Sequence, residues 1–189
     1  MEVSADLNFL DYAKLESAAV ELQPFQHRIV TDVILPERVS SVSAGFPPML
    51  VRGSFPPRDL KCGAAFLGLV AELESSRFRC VVSKKFEVEL EPYPTVVTAR
   101  GICTVKHDGK IHPDLPDKIV TVLLYLNESW DDRRGRLRLL RSASLEDYFV
   151  EIPPLMGTML IFKRCDWSWH GFEPLDAARR SLQLNWVTS

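Results

Sequence analysis

The second half of the chain consists of short segments rich in branched and aromatic residues, separated by residues that favour turns. KIVTVLLYLN at 118–127 is apolar almost throughout, whereas GRLRLLRS at 135–142 and RRSLQLNWVTS at 179–189 alternate polar and apolar residues. GTMLIFKR at 157–164 follows a Pro-Pro turn signal. Several short strands with turn residues between them are typical of a β-sandwich or barrel.

The first half mixes helical and extended patterns. The clearest helix is predicted from Asp59, an N-cap residue type, to Ser75, with an apolar face formed by Leu60, Ala64, Leu67, Val70 and Leu73. Further helices are predicted at 7–20, from Pro36 to the GFPP at 45–48 and at 78–90, and a strand at 27–35. Helices that precede a sheet can cover one of its faces, so we expect a β-dominated α+β protein.

Length and charge exclude several classes of protein. With 189 residues, the chain fits one domain that can bury a core. Its net charge of -2 gives no reason to expect a nucleic-acid partner, since such domains usually carry a basic excess. No apolar run reaches the roughly 20 residues that span a bilayer, so no membrane partner is expected either.

The N-terminus and the cysteines predict a cytoplasmic protein. MEVSADLNFL carries acidic residues and no basic ones, unlike a secretory signal. Cys62, Cys80, Cys103 and Cys165 are widely spaced, with no C-x-x-C pair that would indicate a zinc site. We therefore expect four reduced thiols that serve as small core residues.

His112 and Asp114 stand two residues apart in IHPDLPDK, just before an apolar strand-like run. In an extended segment such residues point to the same side, so an imidazole and a carboxylate can converge on one ion. His170, in DWSWHGFEP, lies just after another predicted strand and can supply a third ligand. Two histidines and one carboxylate on one face are typical of non-haem Fe(II) oxygenases, and leave coordination positions open for co-substrate and dioxygen.

Arg179 follows His170 by nine residues, on the next predicted strand. Its planar guanidinium suits bidentate binding of a carboxylate, and Ser181, two residues on, can donate a hydroxyl hydrogen bond to the same group. Arg180 is the alternative, because strand alternation lets only one of the two neighbouring arginines face inward.

At these residues the chain resembles the 2-oxoglutarate- and Fe(II)-dependent dioxygenases, in their prolyl-hydroxylase-like branch. The resemblance covers about Thr98 to Val187 and includes IHPD, KIVTVLLYLNESW, GRLRLL, IPPLMGTMLIF, SWHGFEP and RRSLQLNW, in the order of the family. It implies a double-stranded β-helix, a jelly-roll barrel with N-terminal helices packed on one face. Within a single domain of residues 1–189, residues 1–95 would support a catalytic core at 96–189.

The resemblance also implies the roles of individual residues. His112, Asp114 and His170 would bind Fe(II) and form the catalytic centre. Arg179, Tyr125 and Ser181 would bind the distal carboxylate of 2-oxoglutarate, which is consumed together with O2 while a substrate is hydroxylated and succinate and carbon dioxide are released. The chain departs from the branch upstream, where GICTVKHDGK places Ile102 and Cys103 in the region in which many prolyl hydroxylases have a tyrosine.

Other interpretations of these features stay open at the level of sequence. The barrel could be a non-catalytic ligand- or partner-binding protein, or a cupin-like metalloenzyme that does not use 2-oxoglutarate. The substrate, either a small molecule or a peptide, and the oligomeric state are not readable. His107 is expected in a turn, and the arginines at 133, 134, 136, 138 and 141 are expected on a solvated hairpin face balanced by acidic residues.

Overall fold

Two antiparallel β-sheets and a layer of helices make up the part of the chain that the structure, a computed structural model, describes, which is residues 8–188. The helices are α1 (Tyr12–Ser17), α2 (Pro36–Gly45), α3 (Ala64–Leu73) and α4 (Ser76–Phe86), with a 3-10 turn at Pro57–Asp59. The strands are β1 (His27–Val30), β2 (Thr95–Cys103), β3 (Lys118–Tyr125), β4 (Leu137–Leu140), β5 (Tyr148–Ile152), β6 (Met159–Lys163), β7 (His170–Gly171) and β8 (Ala177–Val187). Among residues 8–188, no helix combines the length and the apolar character needed to cross a bilayer.

The larger sheet has the strand order β1-β6-β3-β8-β2, and the smaller one β5-β4-β7. The larger sheet is covered on both faces. Val122, Leu124 and Leu184 point towards the helices and join a large apolar cluster with residues such as Phe66 and Phe78. The alternate residues point the other way, as the period of two in a strand requires.

A second apolar cluster joins the two sheets. Tyr125 and Phe162 of the larger sheet pack with Leu137 and Leu139 of β4 and with Ile152 of β5. The layers therefore run helices, five-stranded sheet, three-stranded sheet, which confirms the expected sheet-rich α+β architecture with helices on one face. The strands predicted at 118–127, 135–142, 157–164 and 179–189 agree with β3, β4, β6 and β8, except that residue 189 lies outside the described residues.

The predicted helix at 59–75 is wrong at its start and in part of its buried face, of which Val70 and Leu73 are buried as predicted. Asp59 ends the 3-10 turn, and α3 begins only at Ala64 with Gly63 as its N-cap. The buried side chains include Phe66 and Leu69, whereas Leu67 is 44% exposed. The reason is a close crossing of α3 and α2, in which the Gly63 amide donates a 2.9 Å hydrogen bond to the Gly45 carbonyl oxygen.

The other predicted elements of the first half are present with different accuracy, and the strand predicted at 27–35 forms only as β1 (His27–Val30). The helix predicted at 7–20 forms only as α1, where the Asp11 carboxylate accepts a hydrogen bond from the Lys14 amide, and residue 7 lies outside the described residues. The helices predicted after Pro36 and at 78–90 correspond to α2 and α4.

The cysteines agree with expectation in their redox state and only in part in their packing. All four are free thiols. Cys103 is buried, Cys62 and Cys165 are half-buried, and Cys80 is exposed, so the expectation that all four are core residues is wrong for Cys80. Cys80 lies on α4, a helix of which only one face contacts the core.

Candidate active site

A cavity of about 310 Å³ opens between the two sheets. Its floor is formed by alternate residues of β3 and β8, which are Thr121, Leu123, Tyr125, Ser181 and Gln183. These are the side chains that point away from the helices, because their neighbours in sequence fill the apolar cluster on the other face. The alternation of both strands therefore directs one set of apolar residues to the helices and places the polar residues Thr121, Ser181 and Gln183, together with Leu123 and Tyr125, at the cavity.

His112 and His170 are joined at one end of this cavity by their backbones. Each amide donates a 3.1 Å hydrogen bond to the carbonyl oxygen of the other, and their ring centroids lie 4.5 Å apart. Asp114 lies two residues beyond His112 on the same side of the extended segment. One possible ligand atom from each of the three residues lies within 4.8 Å of the others.

The Asp114 carboxylate is buried and held by hydrogen bonds. Its side chain is 3% exposed, Oδ1 accepts a 2.8 Å hydrogen bond from the Lys118 ammonium, and Oδ2 accepts one from the Thr121 hydroxyl. Burial raises the pKa of this carboxyl, but His170, Lys118 and Thr121 outweigh burial and hold the pKa below its usual value. The group is therefore an anion at neutral pH.

The orientation of the His170 ring is fixed by the backbone. Its Nδ1 lies 2.9 Å from the Ser168 carbonyl oxygen, and because that oxygen can only accept, Nδ1 carries the proton. The lone pair is then on Nε2, which lies 3.9 Å from Oδ1 of Asp114. Burial lowers the pKa of His170 to about 4, so the ring is neutral at neutral pH. A neutral imidazole with its second nitrogen held by a carbonyl is a typical metal-ligating arrangement.

Arg179 extends into the same cavity, as the sequence predicts. It is 8% exposed, its Nε donates a 2.8 Å hydrogen bond to the Gly135 carbonyl oxygen, and its Nη2 lies 3.3 Å from the Tyr125 hydroxyl. Its Cζ lies 4.2 Å above the Phe172 ring. Among residues 8–188, no carboxylate forms an ion pair with this guanidinium, so its charge is balanced by no anionic side chain there.

Arg180 points to the opposite face, where its Cζ lies 5.3 Å from the Phe46 ring centroid.

Tyr125 is fully buried, and burial raises the pKa of its hydroxyl. Ser181 is 3% exposed and stands directly opposite Tyr125 in the sheet register. All six predicted site residues thus line one cavity.

Other residues of the cavity were not predicted. Thr121 could have been predicted, because it lies four residues before Tyr125 in β3 and alternate residues of a strand share one face. Lys118 carries no such signal. The departure noted upstream has a structural counterpart, since Ile102 and Cys103 do not line the cavity, whereas Arg100 of the same strand does. Cys103 instead contacts the Leu175 carbonyl oxygen at 3.4 Å.

Two further predictions, on residues other than the six predicted site residues, agree with the structure, the second of them in part. His107 lies in a turn at 105–107. The hairpin arginines are balanced by acidic residues: Arg134 pairs with Asp132 at 2.8 Å, and Arg138 pairs with Glu151 at 2.8 Å. The Arg134–Asp132 pair is exposed as expected, whereas the Arg138 side chain is only 13% exposed, so this part of the hairpin face is not fully solvated.

The sequence model of the 2OG-Fe(II) oxygenase superfamily matches residues 98–188. This segment contains every predicted site residue. No protein with a curated description matches the chain.

Several solved structures share the fold. A prolyl-4-hydroxylase from Pseudomonas putida is 16% identical, with 86% of this chain and 88% of that chain covered and a TM-score of 0.57. A prolyl hydroxylase from Trichoplax adhaerens, in complex with a hypoxia inducible factor oxygen degradation domain peptide fragment, is 19% identical. The match covers 85% of this chain and 83% of that chain, with a TM-score of 0.55. HygX from Streptomyces hygroscopicus, with nickel and 2-oxoglutarate bound, is 14% identical, with 85% and 81% covered and a TM-score of 0.55.

At these identities the likeness establishes the fold, a double-stranded β-helix, and not the substrate. The matched segment and the fold agree with each other and with the cavity between the sheets. Residues 98–188 thus match the 2OG-Fe(II) oxygenase superfamily, and the chain has the fold of the prolyl hydroxylases named above.

Proposed function

We propose that the protein is a non-haem Fe(II)- and 2-oxoglutarate-dependent dioxygenase that hydroxylates its substrate and releases succinate and carbon dioxide. The observation that carries this proposal is the buried guanidinium of Arg179, which has no anionic partner within residues 8–188 and lies in the same cavity as three metal-ligand side chains. A buried charge without a partner is costly, so a cavity built this way favours an anionic ligand.

His112, Asp114 and His170 are the residues that would hold the iron. Their two imidazoles and one carboxylate suit a borderline divalent ion, and no cysteine joins the group. Asp114 is an anion and His170 is neutral at neutral pH, which are the protonation states that metal binding requires. His112 is 54% exposed and forms the open side of the group.

Arg179, Tyr125 and Ser181 would hold 2-oxoglutarate by its distal carboxylate. The guanidinium keeps donors available beyond those that bind Gly135 and Tyr125, and the Tyr125 hydroxyl can donate to a carboxylate oxygen. Ser181 stands beside Tyr125 across the strands and adds a third donor. These donors reproduce the hydrogen bonds that the carboxylate loses when it leaves water.

When bound, the iron supplies the activation of dioxygen, and the residues of the cavity supply geometry and exclusion of water. Leu123, Leu137 and Phe172 form the apolar part of the lining. Asp114 is fixed from both oxygens by Lys118 and Thr121, and so keeps one orientation towards the metal position.

We propose further that residues 1–189 act as one domain, with 1–95 supporting the core at 96–189. Strand β1 supports this arrangement, because it comes from the first half of the chain and pairs with β6 of the second half from His27 to Val30.

The proposal is tested by absorption spectroscopy without oxygen. Addition of Fe(II) and 2-oxoglutarate should produce the weak visible metal-to-ligand charge-transfer band, and His112→Ala and Asp114→Ala should each abolish it. His107→Ala is the matched control, because His107 lines the same cavity but lies outside the ligand group, and this variant should keep the band.

Other outcomes point to other functions. If the wild type shows no band and releases no succinate in air, the protein is not such an enzyme, and a metal content of zero after purification without chelator would favour a non-catalytic barrel. If Arg179→Gln leaves both metal and activity unchanged, the cupin-like alternative is favoured instead.

A further inference from the structure

The lining of the cavity carries a positive charge that iron and 2-oxoglutarate would not neutralise. Five cationic side chains line the cavity, and two anionic ones, Asp108 and Asp114, accompany them, which leaves three positive charges uncompensated. The cationic residues are Arg52, Arg100, Lys110, Lys118 and Arg179. The charges of Fe(II) and of the 2-oxoglutarate dianion cancel, so the excess remains in the loaded site. This step rests on the proposed function.

A covering segment, residues 49–55, brings part of this charge to the cavity from a distant part of the sequence. It is pinned to the edge strand β2 by Phe55, whose amide donates a 3.0 Å hydrogen bond to the Ala99 carbonyl oxygen and whose carbonyl oxygen accepts one of 2.8 Å from the Ala99 amide. Met49 packs so closely on Gly101 that a Cβ there would lie 2.7 Å from Met49 Cβ. The segment is thus fixed to the sheet beside the cavity.

Arg100 lies on the same row of the sheet as the proposed co-substrate residues. It stands opposite Ser181, which stands opposite Tyr125, so the three side chains share one face. Its Nε donates to the Ser54 hydroxyl of the covering segment. Within residues 8–188, its two terminal nitrogens donate no hydrogen bond and no carboxylate forms an ion pair with it.

Arg52 is held over the mouth by the turn that precedes the metal ligands. Its Nε donates a 2.8 Å hydrogen bond to Asp108 Oδ2, and its Nη2 donates one of 3.2 Å to the His107 carbonyl oxygen. Asp108 is itself fixed, because its Oδ2 accepts a 2.8 Å hydrogen bond from the Thr104 amide. The Arg52 side chain is 42% exposed, and among residues 8–188 its second terminal nitrogen, Nη1, donates no hydrogen bond.

The three guanidiniums are close enough to affect one another. Arg100 is exposed to solvent, but neighbouring protein removes part of its hydration and lowers the pKa of its guanidinium; Asp108 and Asp114 act in the opposite direction, and Arg179 and Arg52 lower the pKa further. Like charges that line one cavity repel one another unless an anion lies between them. Arg179 is assigned to 2-oxoglutarate, so the pair nearer to the mouth remains for another anion.

We propose that Arg52 and Arg100 bind an anionic group, a carboxylate or a phosphate, of the primary substrate, which is therefore a small acidic molecule. Two guanidiniums fixed by Asp108 and Ser54 offer a preorganised fork to oxygen anions. The arrangement places the anionic end of the substrate on the β2 side of the cavity, so that the rest of the molecule extends towards His112 and His170. A neutral substrate would leave both guanidiniums unpaired and would be disfavoured.

The test uses two pairs of probes that share a skeleton and differ in charge, N-acetylglycine with N-acetylglycinamide and glycerol 3-phosphate with glycerol. Their binding is measured by ligand-observed NMR on protein loaded with Zn(II) and saturating 2-oxoglutarate, so that Arg179 is occupied. We expect at least one anionic probe to bind about tenfold tighter than its neutral partner. The two pairs distinguish a carboxylate site from a phosphate site.

Variants locate the binding site. Arg100→Gln should weaken the anionic probe about tenfold and Arg52→Gln severalfold, with 2-oxoglutarate binding retained. Arg58→Gln is the matched control, since Arg58 follows the covering segment but is 85% exposed and lines no part of this cavity. Equal binding of charged and neutral probes, or equal binding to Arg100→Gln and wild type, would overturn the inference. Loss of 2-oxoglutarate binding in Arg100→Gln would also overturn it, because Arg100 would then belong to the co-substrate.

A second measurement separates this inference from the proposed function. The same probes are titrated into metal-free protein that carries Arg179→Gln, in which the deep guanidinium is absent. Anion binding that depends on Arg100 in this background supports the mouth as an anion site, even if the charge-transfer band fails to form. No preference for the anionic probes in this background rejects the inference, whatever the band shows.

Discussion

The Lys118 ammonium donates a 2.8 Å hydrogen bond to Oδ1 of Asp114, the same oxygen that lies 3.9 Å from Nε2 of His170. A cation therefore already stands at the carboxylate that is proposed to bind iron. The ammonium keeps the buried carboxylate ionised in the metal-free protein, and it repels any dication that approaches.

Lys118→Met should have opposite effects on the two states of the protein. The free energy of unfolding of the metal-free protein should fall by about 1–3 kcal/mol, because a buried carboxylate loses a charged partner. Mn(II) should bind several times more tightly, because a repulsive charge is removed. Urea denaturation with chelator and a Mn(II) titration measure the two effects.

Lys110→Met is the control for Lys118→Met, since Lys110 lines the same cavity and forms no ion pair with Asp114. Lys110→Met should change the free energy of unfolding and the Mn(II) affinity clearly less than Lys118→Met does. Weaker Mn(II) binding in Lys118→Met would show that the ammonium matters for orienting Asp114 and not for competing with the metal.

Arg179→Gln and Arg180→Gln form a matched pair, because the two residues are neighbours on opposite faces of β8. Arg179→Gln should weaken 2-oxoglutarate binding about a hundredfold, since truncation of one partner of a buried, hydrogen-bonded charge pair costs roughly 2–5 kcal/mol. Arg180→Gln should leave this affinity unchanged, because its guanidinium lies over Phe46 on the other face. Isothermal titration of the metal-loaded proteins gives both constants, and equal losses would mean that the assignment by face is wrong.

The strands that the sequence predicted correctly are those in which the residues of the two faces alternate with a clear period of two. β3 and β8 sort Val122, Leu124 and Leu184 to the helices, and this period of two is visible in the sequence. β2 and β5 were missed. β2 presents Arg100 to the cavity and sits at the sheet edge, and β5 has only five residues, of which Tyr148 is 41% exposed. In β2 the buried positions do alternate, but they include Ala99 and Gly101, and apolar Val96 and Ile102 lie on the other face, so the alternation is not visible in the sequence.

The ligand group was detectable because its geometry is partly local. His112 and Asp114 share a side by their spacing, and the structure brings His170 to them through one pair of backbone hydrogen bonds. Their role in binding iron stays a prediction. Arg52 was not detectable, because it reaches Asp108 across 56 residues of sequence and no periodicity signals that contact.

Gly63→Ala should destabilise the fold without affecting the site. A Cβ at this position would lie 2.7 Å from Gly45 Cα, so α2 and α3 would have to separate where they cross. Overpacking of this kind costs about 1–3 kcal/mol. Urea denaturation measures the loss, and Lys61→Ala, an exposed change in the same loop, should remain within about 0.5 kcal/mol of wild type. If Gly63→Ala has the same free energy of unfolding as wild type, the two helices can separate at this contact without loss of stability.

His170 should make the metal-free protein less stable as the pH falls from about 6.5 to about 4. Burial lowers its pKa from 6.5 to about 4 in the folded protein, so the unfolded chain takes up the proton first. The unfolded state therefore binds more protons throughout this interval, and the stability that is fully present above pH 6.5 is lost on acidification. The loss by pH 4.5 is about 2–3 kcal/mol relative to a variant without this group. The free energies of unfolding of wild type and of His170→Asn are measured in chelator at pH 6.5 and at pH 4.5. The difference between the two pH dependences is the contribution of His170. If both proteins lose the same free energy between these pH values, the ring is not held neutral by the fold.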